Sequence, residues 1–125
     1  MKLRLDERQI RLRLEAADLE SLQREGKHSC RVAVSPGRGF SYVLEGSLDV
    51  PIPMATWQGD VLLLQWPVEA LQQWLQSSAI SLRAEQANGP DSILVLLVEK
   101  DLGCEHPSGD KTATKERRPS DEGGD

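Results

Sequence analysis

The strongest constraint on the fold lies in the first fourteen residues. Lys2-Leu3-Arg4-Leu5 and Ile10-Arg11-Leu12-Arg13-Leu14 alternate strictly between apolar and polar side chains. Period-two alternation marks a half-buried strand, because successive side chains leave a strand on opposite faces. The two segments are joined by a short charged stretch, Asp6-Glu7-Arg8, which suits a hairpin connection. The chain must therefore supply a core for a leucine face while a basic face points outward.

The rest of the pattern follows from this start. Ala16, Leu19 and Leu22 fall at helical spacing, and Gly26 is placed to end that helix in a left-handed conformation. Residues 28–34 are β-prone, Pro36-Gly37 fits the centre of a type II turn, and Phe40, Tyr42 and Leu44 alternate along a further strand. Pro51 and Pro53 predict that the strand over 50–57 lies at an edge, since proline cannot donate to a ladder. Gly59-Asp60 suits a hairpin turn into Val61–Trp66, and Pro67 a first helical position. Val68, Leu71, Trp74 and Leu75 then form one apolar helical stripe. Residues 79–86 alternate, Asn88-Gly89-Pro90 turns, and the continuously apolar Ile93–Val98 fits a central strand covered on both faces. The expected fold is α+β: a mainly antiparallel curved sheet or partial barrel of about eight strands with two short helices. No internal repeat is evident.

Composition bounds the rest. A chain of 125 residues has room for one domain, and 38% apolar with 28% charged residues suits a soluble globular protein. The longest apolar run is far short of the roughly 18 residues of a membrane span, and no apolar stretch follows Met1, so neither membrane insertion nor export is expected. A pI near 5.1 argues against a general nucleic-acid coat. The net charge of −5 is unevenly spread, with 1–40 basic and both 41–102 and 103–125 acidic. After Leu102 the chain is rich in Gly, Pro and charged residues, which predicts a globular domain over 1–104 and a disordered mixed-charge tail over 105–125.

The opening basic alternation, with Lys2, Arg4, Arg11 and Arg13, and the ending Glu99-Lys100-Asp101 with Cys104, together resemble an uncharacterised family of small bacterial proteins of unknown function. The resemblance covers roughly residues 1–104. One departure is the first hairpin turn, which is charged and lacks a glycine. The resemblance implies a bacterial, cytoplasmic, single-domain protein, and it brings no activity, substrate or cofactor.

Four groups of residues are candidates for chemistry. Lys2, Arg4, Arg11 and Arg13 would share one face if their strands pair, a cationic patch suited to bidentate binding of phosphate or carboxylate; with this face turned into a barrel it would be a polyanion pocket. The bland alternative is a solvated face that resists edge aggregation. Glu99, Lys100 and Asp101 with Cys104 form a cluster at the end of the last strand, where a strand commonly just meets water. His28-Ser29-Cys30 and Cys104-Glu105-His106 hold every Cys and His of the chain. They make a Cys₂His₂ zinc set conceivable, although each pair has one intervening residue where structural zinc sites use two or more. Trp57, Trp66 and Trp74 read as packing residues, Trp57 being the one expected at the surface, where it could form a small patch with Met54. No Ser-His-Asp set can be argued from spacing, no phosphate loop is present, and no catalytic residue, metal or cofactor is assigned.

The favoured reading is a small cytoplasmic, non-catalytic binding module whose basic hairpin face takes an anionic ligand or an acidic protein partner. Nucleic acid and membrane are not expected partners. The alternatives are an enzyme acting on an anionic, phosphorylated small molecule and a Cys/His zinc or thiol site.

Overall fold

In a computed structural model of the chain, residues 1–103 are described. They form eight strands and two helices: β1 (Lys2–Leu5), β2 (Gln9–Leu14), α1 (Ala16–Glu25), β3 (Lys27–Ser35), β4 (Arg38–Ser47), β5 (Met54–Gln58), β6 (Val61–Pro67), α2 (Val68–Gln76), β7 (Ser81–Ala87) and β8 (Ile93–Lys100). This is the α+β fold that the alternation predicts. The strands divide into two mixed four-stranded sheets, β1-β2-β8-β7 and β3-β4-β6-β5, and no barrel closes. Each sheet joins two antiparallel hairpins through a central parallel pair, β2 with β8 and β4 with β6. Cys104 and the segment 105–125, expected as a tail, lie outside the described residues.

Local sequence accounts for most of the boundaries. Gly26 caps α1 at φ +79 and its N–H donates to the Leu22 carbonyl. Gly37 takes φ +72 in the Ser35-to-Arg38 turn, as a type II turn requires. The prolines at 51 and 53 precede β5, which is an edge strand as expected. Pro67 closes β6 and caps α2, which begins one residue later. Most core residues are even-numbered ones of four strands, Ile10, Leu12 and Leu14; Tyr42 and Leu44; Leu62, Leu64 and Trp66; Leu96 and Val98, joined by Ala55 of β5. With Leu22, Leu71 and Trp74 from the helices they form a single cluster. Trp66 and Trp74 are buried and Trp57 is exposed, in line with the sequence. Met54 and Trp57, three residues apart on one strand, leave opposite faces and make no joint patch; Trp57 instead packs edge-on against Phe40.

A duplication hidden in the sequence is explicit in the topology. The order ββαββ occurs twice, as β1-β2-α1-β3-β4 and β5-β6-α2-β7-β8. Core positions of the first hairpin and helix recur 52 residues later, pairing Ile10 with Leu62, Leu12 with Leu64, Leu14 with Trp66 and Leu22 with Trp74. For the second hairpin the spacing is 54, from Lys27 to Ser81 and onward, because the connection after α2 is longer. Strand registers obey the same correspondence: Lys2 opposite Arg13 becomes Met54 opposite Gln65, and Ile10 beside Leu96 becomes Leu62 beside Tyr42. The halves are interlocked, since the first hairpin of each is in the same sheet as the second hairpin of the other.

Candidate functional site

The β1–β2 register places Lys2 directly opposite Arg13 and Arg4 directly opposite Arg11. Directly opposed residues share a face of the sheet, so all four cations stand together on the side away from the leucines Leu3 and Leu12. The basic face is therefore an outer surface; the inward face of this open sheet belongs to the core.

Glu99 ties the two sequence clusters together. It lies beside Arg13 on β8. Its Oε1 accepts from Arg11 Nε at 2.8 Å and from Arg11 Nη2 at 2.7 Å, a two-pronged charge-assisted contact. Arg13 Nε stays 3.9 Å from the same oxygen, beyond hydrogen-bond length, and is a solvent-hidden donor without a partner. Lys2 and Arg4 are exposed. Arg83 and Glu85 of β7 stand on the same sheet surface and pair with each other at 3.0 Å.

The remaining end-of-strand residues go elsewhere. Lys100 leaves the opposite face from Glu99, donates Nζ to the Ser77 carbonyl at 2.7 Å and lies 5.1 Å above the Trp74 ring. Asp101 is engaged by the backbone: its N–H donates to the Leu14 carbonyl of β2 and its carboxylate accepts from the Gly103 N–H.

The duplication supplies an internal comparison. The counterparts of Lys2, Arg4, Arg11 and Arg13 in the other half are Met54, Thr56, Leu63 and Gln65. The counterpart of Glu99 is Glu45, which accepts from Gln65 Nε2 at 2.9 Å. An open cleft of about 410 Å³, lined by Val43, Leu63, Gln65 and Lys27 among others, occupies that face. The same hairpin geometry thus forms with no cation at the four positions.

A second polar cluster, which spacing did not reveal, sits where α1 meets β3. His28 Nε2 lies 3.0 Å from Asp18 Oδ1, and His28 Nδ1 lies 3.1 Å from Ser21 Oγ. Asp18 Oδ2 also accepts from the Glu15 N–H at 2.9 Å and from the Met1 ammonium at 2.8 Å. These donors and the cationic neighbours hold the Asp18 carboxyl below its ordinary value against the opposing effect of burial. The Met1 ammonium is held above its ordinary value: burial opposes the charge, but the Asp18 hydrogen bond and nearby negative groups outweigh it. Tyr42 donates its hydroxyl to the Met1 carbonyl at 2.6 Å, and burial chiefly pushes its phenol up to about 12. Cys30 shares the inward face of β3 with His28, its Sγ 4.0 Å from Nε2. Asp18 and Ser21 are three apart on one helix, hence on one face, but His28 meets them only because α1 folds back along β3. His28 and Cys30 are thus adjacent, as a zinc reading requires, while Cys104 and His106 lie outside the described residues. Among the described residues no group of three or more His, Cys, Asp or Glu is arranged to hold a metal ion, and no helix is long and apolar enough to cross a membrane.

Residues 1–119 match a family described only as a family of unknown function, DUF7009. The chain belongs to that family. The match spans both halves of the DUF7009 fold described above, in keeping with the family resemblance carried by its two ends. No curated protein and no solved structure matches this DUF7009 chain.

Proposed function

We propose that this chain is a binding module whose outer β1-β2-β8 surface takes an acidic segment of a partner protein. The observation that carries the reading is the internal comparison: a hairpin of identical register folds in the other half with Met54, Thr56, Leu63 and Gln65, so four cations are not a requirement of the fold. Three features add support. The Arg13 side chain is 42% exposed and no carboxylate holds it at hydrogen-bond distance, so the outer part of its guanidinium is open to an incoming carboxylate. Only Arg11 is held by Glu99 at hydrogen-bond distance, leaving Lys2, Arg4 and Arg13 for a ligand. The surface is open, which suits an extended chain better than a small enclosed anion. We take the setting to be the bacterial cytoplasm, where the free thiol of Cys30 stays reduced.

The test is fluorescence anisotropy with a labelled oligoglutamate peptide, with inorganic pyrophosphate titrated in parallel. Binding that weakens steeply with salt, and is lost when Lys2, Arg4, Arg11 and Arg13 are all changed to Glu, is the expected result. Peptide binding unaltered by that reversal overturns the proposal, and binding of pyrophosphate alone assigns the face to small anions instead.

A further inference from the structure

Asp18 has structural partners in the Glu15 N–H and the Met1 ammonium, but the extension of that contact through His28 to Ser21 has no counterpart in the other half. There the positions of Asp18, His28 and Ser21 are filled by Ala70, Leu82 and Gln73, and that of Cys30 by Ala84. Ala70, Leu82 and Ala84 pack against the core as ordinary apolar residues. The fold thus joins α2 to β7 with Ala70, Leu82 and Ala84 where the first half has Asp18, His28 and Cys30, and leaves Gln73 exposed. Part-buried polar networks seldom improve on apolar packing of similar volume, so the polar set in the first half calls for another reason.

Its geometry supplies one. An ionised Asp18 can only accept, so Nε2 carries the hydrogen and donates it at 3.0 Å, and Nδ1 keeps its lone pair. Nδ1 then accepts from Ser21 Oγ at 3.1 Å. A carboxylate fixing the tautomer of an imidazole that faces a hydroxyl is the arrangement that activates serine nucleophiles; here the roles of the two ring nitrogens are exchanged relative to the serine proteases. Ser21 and His28 both line an open cavity of about 260 Å³ together with Glu25, Lys27 and Ser29. That is small for a ligand pocket and its lining is polar throughout, so it suits only a short, polar acyl group.

We infer that Ser21 is an activated nucleophile, with His28 as its base and Asp18 as the residue that positions His28, and that the site transfers short acyl groups from esters. Ser21 Oγ bonds to the acyl carbon as its proton passes to His28 Nδ1. Collapse of the tetrahedral species breaks the ester C–O bond, and the leaving alkoxide takes that proton. Water then attacks the acyl-Ser21, giving its proton to His28, which returns it to Oγ as the acid departs. This site is separate from the cationic sheet face, and its failure would leave the binding proposal untouched.

The experiment treats the full chain with an alkyl fluorophosphonate and maps the product by peptide mass. Ser21 Oγ displaces fluoride from phosphorus only if its proton has a base to go to. Labelling at Ser21 is expected, falling about 100-fold or more in His28→Gln, the scale of a lost general base. In His28→Ala, added imidazole is expected to restore labelling, a readout that a merely structural histidine would not move. An unlabelled Ser21 in the unaltered protein, labelling of His28→Gln at the unaltered rate, or no response of folded His28→Ala to imidazole would each overturn the inference.

Discussion

Gln86 closes the gap between the two sheets by treating Ala55 as if it were a neighbouring strand residue. The Ala55 N–H donates to Gln86 Oε1 at 2.6 Å, and Gln86 Nε2 donates back to the Ala55 carbonyl at 3.0 Å. Ala55 is on the β5 edge and Gln86 on the β7 edge, so one side-chain amide satisfies both backbone groups of a buried edge residue. Replacing it with leucine leaves both groups unpaired. Gln86→Leu should lower stability by about 1–3 kcal/mol, read as an earlier urea midpoint with an unchanged slope.

The Met1–Asp18 pair makes stability depend on pH at both ends. Asp18 is depressed in the folded state, so its contribution is complete above the ordinary value of 3.8 and fades as pH falls through the lower folded value. Met1 is raised, so its contribution is complete below the ordinary value of 8.0 and is lost as pH climbs through the higher folded one. Tyr42 adds to the alkaline loss between 10.0 and about 12, where an unfolded chain ionises its phenol and the folded chain does not. Acetylating the Met1 amine should cost about 1.5–3 kcal/mol at pH 7, as for a hydrogen bond to a charged group. It should also flatten the stability profile just above pH 8. A thermal-melt series across pH, with and without acetylation, decides this.

Glu99 restrains the basic face, so its removal should strengthen anion binding. Glu99→Gln frees Arg11 from its closest carboxylate and removes one negative charge from the surface. Oligoglutamate affinity should rise several-fold at low salt and fall more steeply as salt is added. Equal affinity for both proteins would place the contact away from β8.

Gly39 and Gly46 on β4 tolerate a side chain to different degrees. A Cβ at Gly46 would come 3.3 Å from Val68 Cγ2 and 3.4 Å from Leu71 Cδ2. Those are side-chain atoms that can give, so Gly46→Ala should cost about 1–2 kcal/mol as mild overpacking. A Cβ at Gly39 would meet the Val32 carbonyl oxygen, which belongs to the ladder and cannot move without breaking it. Gly39→Ala should therefore be the more destabilising in parallel melts.

Short-range chemistry was well written in the sequence. Alternation placed Lys2, Arg4, Arg11 and Arg13 on one face, and Gly26 and Pro36-Gly37 marked a helix end and a turn. Long-range partnership was not. Parallel pairing of β2 with β8 joins Ile10 to Leu96 across most of the domain, and no local pattern encodes which distant strand a leucine face will meet. The repeat escaped for a related reason: its positions match in apolar character and not in identity, as with Leu14 and Trp66 or Leu22 and Trp74. The Asp18–His28–Ser21 contact needs the helix to fold back on the strand, so spacing along the chain carried no signal of it.

The exchange of hairpins between the halves limits how the molecule can come apart. Neither sheet belongs to one half, since β2 takes its central partner from β8 and β6 takes its own from β4. Melting either repeat strips a hairpin from both sheets at once, so no half-folded state keeps an intact layer. The single chain behaves as a domain-swapped dimer whose two subunits are fused at 48–53, and a protease cut at that junction would release no free domain, only two four-stranded fragments that still hold each other.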